Sequence, residues 1–343
     1  MIRPVRFGVL GCADIARRRI VPALRHCPDT QITAVASRDP EKATVFAAEI
    51  GCAATDYARM LQRDDVDALY IPLPPGLHEP WVRLALLLSG KHVLVEKPMT
   101  PTARATASLA ALAEERGLVL RENFMFVQHR QHRAVRDAIH MGLLGRPLSL
   151  TAAFCIPSRP ADDFRYVAGL AGGALVDLGV YPLRLTQFLF GPDITVTGVV
   201  SEIDPIRDVD LAGLVNAELA AGVTAQLRYR IGGNYTCEYT VRGDVRTVRV
   251  ERAFTPPADW IPKVTFNDGG SADAASGGPG EQLGCSIRQS RASERSRSRA
   301  VVACSRGADW GTAGRRPCCR LNGGERWPPG DWLVTGSSRL RGR

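Results

Sequence analysis

The triplet Glu96-Lys97-Pro98 closes an apolar run from Lys91 to Val95 and sets an ammonium beside a carboxylate. It falls at the carboxyl edge of an expected strand, where open α/β sheets bind their ligands. The proline holds the chain extended behind the lysine and keeps it out of a helix. A lysine so placed, in a chain that opens with a dinucleotide-type turn, suggests redox chemistry on a carbonyl or an alcohol.

That turn is Gly8-Val9-Leu10-Gly11-Cys12-Ala13-Asp14-Ile15-Ala16, which follows an apolar run and opens a helix. Aligned to G-x-G-x-x-G/A it places Gly11, Ala13 and Ala16, with alanine where the middle glycine is usual. A small second residue still lets the backbone approach a pyrophosphate, which the helix N-terminus attracts. The second expected strand ends in Ser37-Arg38, where NAD enzymes usually carry an acid for the ribose 2′-hydroxyl. A hydroxyl and a guanidinium suit a 2′-phosphate instead, so NADP(H) is the expected cofactor. The competing reading makes Arg38 a solvated loop residue and gives the acid's task to Asp39. Leu73-Pro74-Pro75-Gly76-Leu77-His78 forms a rigid loop after another strand. His78 there is a candidate for lining the nicotinamide site or, equally, for packing or capping.

A second constellation is Gly172-Gly173-Ala174-Leu175-Val176-Asp177-Leu178-Gly179-Val180-Tyr181-Pro182-Leu183-Arg184. On a helix Asp177, Tyr181 and Arg184 form one polar stripe at i, i+4 and i+7, with Pro182 kinking the helix or marking its start. A tyrosine meeting Lys97 across a domain junction makes a proton-transfer pair. The ammonium is expected to stabilise the phenolate and lower the tyrosine's pKa. A buried tyrosine with a satisfied hydroxyl is the bland alternative.

These residues need two layers of scaffold. Strands are expected over 5–10, 32–36, 66–72, 92–96 and 118–122, alternating with helices over 14–25, 40–50, 77–88 and 102–116, with Asp39 capping the second helix. The alternation predicts a doubly wound parallel sheet, a Rossmann domain over 1–122. A helix over 128–141 links it to an α+β domain over 145–270. There, strands over 147–156, 194–203, 214–220, 223–230, 235–242 and 246–251 and a helix over 174–190 predict a mostly antiparallel open sheet.

The 343 residues carry 45% hydrophobic and 23% charged side chains, the balance of a soluble protein. No apolar run approaches the length of a spanning helix, and the N-terminus reads poorly as a signal peptide. Nine cysteines without a paired spacing point to a reduced, cytoplasmic protein. No metal, nucleic-acid or membrane partner is expected. Residues 271–343 hold 13 Arg, no Lys and 6 acids, so most of the net charge of +9 belongs to this stretch and not to a DNA-reading face. The same stretch has no Phe, no Tyr and no periodicity, yet it contains three of the five Trp and four of the nine Cys. It is expected to be unstructured, and its composition is what a shifted frame of GC-rich DNA encodes; a genuine basic tail is the alternative.

The glycine-rich turn, Glu96-Lys97-Pro98 and the Gly-Gly-Ala-Leu-x-Asp-x-Gly-Val-Tyr-Pro-Leu-Arg run together resemble the Gfo/Idh/MocA oxidoreductases, over about residues 5–270. Within that family they are most similar to the NDP-hexose 3-ketoreductases of actinomycete deoxysugar pathways. Many relatives place a histidine where Tyr181 stands and an acid where Arg184 stands. The resemblance implies NADPH-dependent reduction of the C-3 ketone of a dTDP-linked 3,4-diketo-2,6-dideoxyhexose. It implies that Lys97 hydrogen-bonds the carbonyl oxygen and the nicotinamide ribose, that Tyr181 or Lys97 gives the proton, and that Asp177 orients the pair. Arg165, in Asp162-Asp163-Phe164-Arg165-Tyr166, matches a family position near the nicotinamide or the sugar. The candidate cofactor contacts are then Gly11, Cys12, Ala13, Asp14, Ile15, Ser37, Arg38, Leu73, Pro74, His78, Glu96, Lys97 and Arg165. The candidate substrate contacts are Lys97, Asp177 and Tyr181. The resemblance further implies that the nucleotide lies against the open face of the second sheet and that this face forms a homo-oligomer. Two other functions stay open: a dehydrogenase of a free sugar or polyol, and a non-catalytic NADP sensor on the same scaffold.

Overall fold

The computed structural model describes residues 3–257, 260–267 and the backbone of 272–276. Strands β1 (Val5–Leu10), β2 (Thr30–Ala36), β3 (Ala53–Thr55), β4 (Ala68–Ile71), β5 (His92–Glu96) and β6 (Leu120–Asn123) form one parallel sheet in the order β3-β2-β1-β4-β5-β6. The strands read as apolar runs because both faces are covered. Phe7, Val9 and Tyr70 pack on one side with Ile20, Leu24 and Phe46. Leu10, Leu69 and Ile71 pack on the other with Val82, Leu86 and Leu109.

The helices of this half are α1 (Val21–His26), α2 (Pro40–Ile50), α3 (Tyr57–Gln62), α4 (His78–Leu88) and α5 (Ala103–Glu115). Asp39 caps α2 by accepting from the Glu41 and Lys42 amides at 3.0 and 3.3 Å. Gly51 ends the helix at φ 73°, a left-handed turn that glycine adopts without strain. The order of strands reverses between β1 and β4, which opens the ligand crevice of a doubly wound sheet.

Helix α6 (Arg130–His140) leads into the second half and buries Val135 and Ala138 in its core. Strands β7 (Pro147–Ile156), β8 (Ile194–Asp204), β9 (Val209–Leu219), β10 (Thr224–Ile231), β11 (Thr236–Gly243), β12 (Thr247–Glu251), β13 (Lys263–Asn267) and β14 (Ala272–Ser276) make the second sheet. Its order is β14-β13-β12-β11-β7-β10-β9-β8. Every pairing is antiparallel except that of β7 with β10, which run side by side in one direction. Helices α6 and α7 (Val180–Phe190) cover one face, over Leu150, Phe154, Leu227, Tyr229 and Val241. The opposite face presents Thr151, Gln226, Arg228, Thr240 and Arg249.

Several expectations need correction. The strand β3 and helix α3 were not expected; with three and six residues, each is too short to show a period. Strand β9 starts five residues before the expected 214, and β13 was not expected at all. The expected helices over 14–25 and 174–190 are not uniform: π turns at Ala16–Ile20 and Leu175–Gly179 precede α1 and α7. Pro182 lies two residues into α7, where its missing N–H leaves an early-turn bond unmade. The backbone of β14 pairs with β13 and carries regular structure into the stretch expected to be structureless. The rest of that stretch lies outside the described residues.

Candidate active site

Strand β5 delivers Glu96 and Lys97 to the carboxyl edge of the first sheet. The Glu96 carboxylate turns inward: its Oε1 accepts from the Tyr70 hydroxyl at 2.7 Å and from Asn123 Nδ2 at 2.6 Å. Burial raises its pKa, opposed by these two bonds. Its side chain anchors the strand end, so any hold on a cofactor rests on its main chain. Lys97, followed by a cis bond to Pro98, points the other way, across the junction between the halves.

There the lysine meets Asp177. Lys97 Nζ donates to the Asp177 main-chain oxygen at 2.7 Å and to Oδ1 at 2.9 Å. The other carboxylate oxygen accepts from Arg165 Nε at 2.5 Å, and Arg165 Nη1 also holds Asp163 Oδ1 at 3.1 Å. Both Lys97 and Asp177 side chains are only 12% exposed. Burial alone would raise the carboxyl's pKa, yet Lys97 and Arg165 hold it far below the usual carboxylate range. Asp177 is therefore a fixed anion between two cations. The π turn at Leu175–Gly179 carries it, and Leu175 N–H donates to Asp210 Oδ2 at 2.7 Å, fixing that turn to β9.

Tyr181 stands in an aromatic box, its ring 5.0 Å from Phe154, 5.6 Å from Phe126 and Phe254 and 5.9 Å from Phe124. Lys97 Nζ sits 4.9 Å from its ring centroid. The lysine and the tyrosine thus converge, but the ammonium faces the ring and not the phenol oxygen. Burial, then the Asp177 and Glu96 charges, push the phenol's pKa well above its ordinary value. This corrects the expectation that Lys97 lowers it: burial is the largest cause, and the nearby carboxylates add to it. The hydroxyl makes no hydrogen bond among the described residues. Arg184 reaches Gln187 Oε1 at 3.5 Å and its charge is felt by half-buried Glu122, while the π turn shifts Asp177 out of the expected i, i+4 spacing with Tyr181.

The glycine-rich turn fits a dinucleotide. Gly11 has φ 132°, and a Cβ there would lie 2.9 Å from a Leu73 methyl, so only glycine keeps this floor flat. Cys12 is half-buried with its Sγ 3.6 Å from the Lys42 oxygen, Ala13 and Ile15 are half-buried, and exposed Asp14 pairs with Arg18. Ser37 Oγ accepts from the Asp39 amide at 3.1 Å. Arg38 is exposed and makes no ion pair among the described residues, whereas the Asp39 carboxylate is engaged in capping α2. Asp39 is thus poorly placed for the acid's task, and Arg38 is free to meet a phosphate.

His78 is corrected. It is 0% exposed, with Nδ1 2.8 Å from the Pro98 oxygen and Nε2 2.7 Å from the Leu73 oxygen. Burial lowers its pKa, and the tautomer decides which carbonyl accepts. The ring ties the proline loop to the turn behind Lys97 and leaves no atom for a ligand. Leu73 is buried beneath Gly11, and Pro74 is half-buried beside it. The aromatic box, Asn123, Tyr70 and Asp163 were missed. Only Asp163, beside Arg165 in an acidic pair, had a signal in the sequence.

A family model described as the oxidoreductase family with an NAD-binding Rossmann fold matches residues 5–124, and one for the GFO/IDH/MocA C-terminal domain matches residues 132–249. The chain belongs to the GFO/IDH/MocA oxidoreductase family. Among members of this family, a dTDP-3,4-didehydro-2,6-dideoxy-alpha-D-glucose 3-reductase of Streptomyces violaceoruber is 49% identical over 263 residues, covering 76% of this chain and 77% of its own. A second of the same name, from Streptomyces antibioticus, is 45% identical and covers 83% and 87%. The crystal structure of KijD10, a 3-ketoreductase from Actinomadura kijaniata in complex with NADP and TDP-benzene, superposes with a TM-score of 0.81 at 40% identity, covering 88% of this chain and 94% of that one. Among the described residues no helix is long and apolar enough to cross a membrane.

Proposed function

We propose that this family member reduces the C-3 ketone of a dTDP-linked 3,4-diketo-2,6-dideoxyhexose with NADPH, a step in deoxysugar biosynthesis. The observation that carries the chemistry is the convergence, at a domain junction, of a counter-ion-fixed ammonium and a half-buried phenol with no hydrogen bond among the described residues. Names of the similar proteins support the substrate. KijD10 was also solved as variants with a lysine changed to alanine and a tyrosine changed to phenylalanine, two positions separated by the same interval as Lys97 and Tyr181.

Gly11 through Ile15 would hold the cofactor's pyrophosphate, and Ser37 and Arg38 its 2′-phosphate. NADPH bound there supplies the hydride. Lys97 has three N–H donors and spends two on Asp177, so the third is available to polarise the substrate carbonyl. A donor fixed before the reaction stabilises the developing alkoxide without reorganising. Tyr181, held protonated by burial, gives its proton to that oxygen. Asp177 and Arg165 position the lysine. The enzyme works in the cytoplasm as a homo-oligomer that pairs the open faces of the second sheet.

The test is NADPH oxidation by the purified full chain with the enzymatically generated dTDP-diketohexose, against free sugars and polyols. Turnover confined to the dTDP-sugar is the expected result. Turnover only with free sugars would replace this reading by the polyol-dehydrogenase alternative, and NADPH binding without any turnover by the sensor.

A further inference from the structure

Beyond the amine and the phenol, the second half has a concavity of about 360 Å³ lined by Ser158, Arg159, Tyr166, Arg207, Leu211 and Arg230. We infer that Arg159, Arg207 and Arg230 form the grip for the diphosphate of the substrate. The inference rests on the reading of that substrate as a nucleoside diphosphate sugar.

The topology explains why these arginines meet. Strands β7 and β10 are parallel, in a register that sets Arg230 beside Cys155 and Ile231 beside Ile156, so both strands finish at one rim. The chain leaving β7 puts Arg159 there, the end of β10 contributes Arg230, and the β8–β9 turn supplies Arg207. No carboxylate lines the cavity. Each guanidinium is steadied by an acid: Arg159 by Asp163 at 3.4 Å, Arg207 by Asp204 at 2.9 Å and Arg230 by Glu202 at 2.6 Å. Arg207 also lies over the Tyr166 ring at 5.0 Å. An arginine has five donors in a planar fork, so each keeps donors for phosphate oxygens while paired.

The cavity is tied to the reaction centre. Asp163 holds both Arg159 and Arg165, and Arg165 holds Asp177, which holds Lys97. Leu211 follows Asp210, whose carboxylate fixes the turn carrying Asp177. An unbroken line of side-chain contacts thus joins the three-arginine rim to Lys97, and the retained diphosphate of a substrate whose ketone sits at Lys97 has this rim within the same half of the molecule as Asp177. Three guanidiniums suit a doubly charged, multi-oxygen group better than a neutral sugar.

The experiment compares wild type with the Arg207→Gln/Arg230→Gln pair by titration calorimetry of the NADP-loaded protein with dTDP and with thymidine. A hydrogen bond to a charged group contributes about 1.5–3 kcal/mol, roughly tenfold to a hundredfold in affinity. The pair should therefore lose at least about thirtyfold in dTDP affinity while thymidine and NADPH affinities stay within twofold. Its KM for the dTDP-sugar should rise with kcat retained at saturation. The Arg→Lys pair keeps charge but not the fork, and should recover only part of the loss. Unchanged dTDP affinity, or an equal loss for thymidine, overturns the inference and leaves the ketoreductase reading intact. A wild-type protein that does not bind dTDP overturns both.

Discussion

Replacing Asp177 by asparagine keeps the shape of the side chain and removes the anion between Lys97 and Arg165. Each of the two ion pairs is worth about 4 kcal/mol of gross attraction at an effective dielectric near 20. Much of that offsets the cost of drying the charges, and losing one partner of a buried group typically costs about 3–5 kcal/mol because the other charges stay behind unpaired. For a fold of this size that is a melting point lower by about 6–20 °C. The shift has a pH signature. The Asp177 carboxyl is held below its unfolded value, so its contribution is complete above about pH 4 and disappears as pH falls through the folded value. The gap between wild type and Asp177→Asn should be constant from pH 5 to 8 and shrink in stronger acid. Adding Lys97→Met to Asp177→Asn should return part of the lost stability by removing a stranded cation. Thermal unfolding of the three proteins across pH is the assay. A melting point within about 1 °C of wild type at neutral pH would refute the account of Asp177 as the counter-ion that fixes Lys97.

Tyr181→Phe keeps the aromatic box and deletes the proton donor, so kcat should fall by about 10²–10⁴ with NADPH affinity unchanged; near-normal turnover in steady-state assays would remove Tyr181 from the mechanism. Arg38→Ala should weaken NADPH about tenfold to a hundredfold and leave NADH nearly unaffected, read from the two dissociation constants. Equal losses for both would show that Arg38 does not meet the 2′-phosphate. His132 is fully buried between the Tyr239 hydroxyl and the Ala253 oxygen, and burial takes its pKa to about 3. The unfolded chain then binds the extra proton between about pH 6.5 and 3, so stability should fall by up to about 1.4 kcal/mol per unit as pH drops through that window. Denaturant titrations of His132→Gln should lack this component; identical pH slopes would count against it.

The scaffold was legible where burial is two-sided or strictly alternating. Strands β1, β5 and β7 read directly, and so did the Asp39 cap of α2. Lys97, Asp177 and Tyr181 were each singled out by type and spacing, and Arg38 by the absence of an acid. What escaped was three-dimensional. Phe124, Phe126, Phe154 and Phe254 come from three separate stretches and read individually as ordinary core. The burial of Tyr181's phenol, and its place relative to Asp177 and Glu96, could not be read, so the sign of its pKa shift was misjudged. His78 read equally as a ligand-lining or a packing residue, and only the two backbone oxygens that claim its ring decide for packing. Short elements such as β3 and α3 carry too few residues for any period to emerge.

The single parallel pairing in the otherwise antiparallel sheet has an evolutionary corollary. Because β7 and β10 terminate together and the loop leaving β7 also carries Asp163 and Arg165, a change at this border is transmitted to Asp177 and Lys97. A lineage built this way has to retune that border and its reactive centre together, because one network of charges spans both.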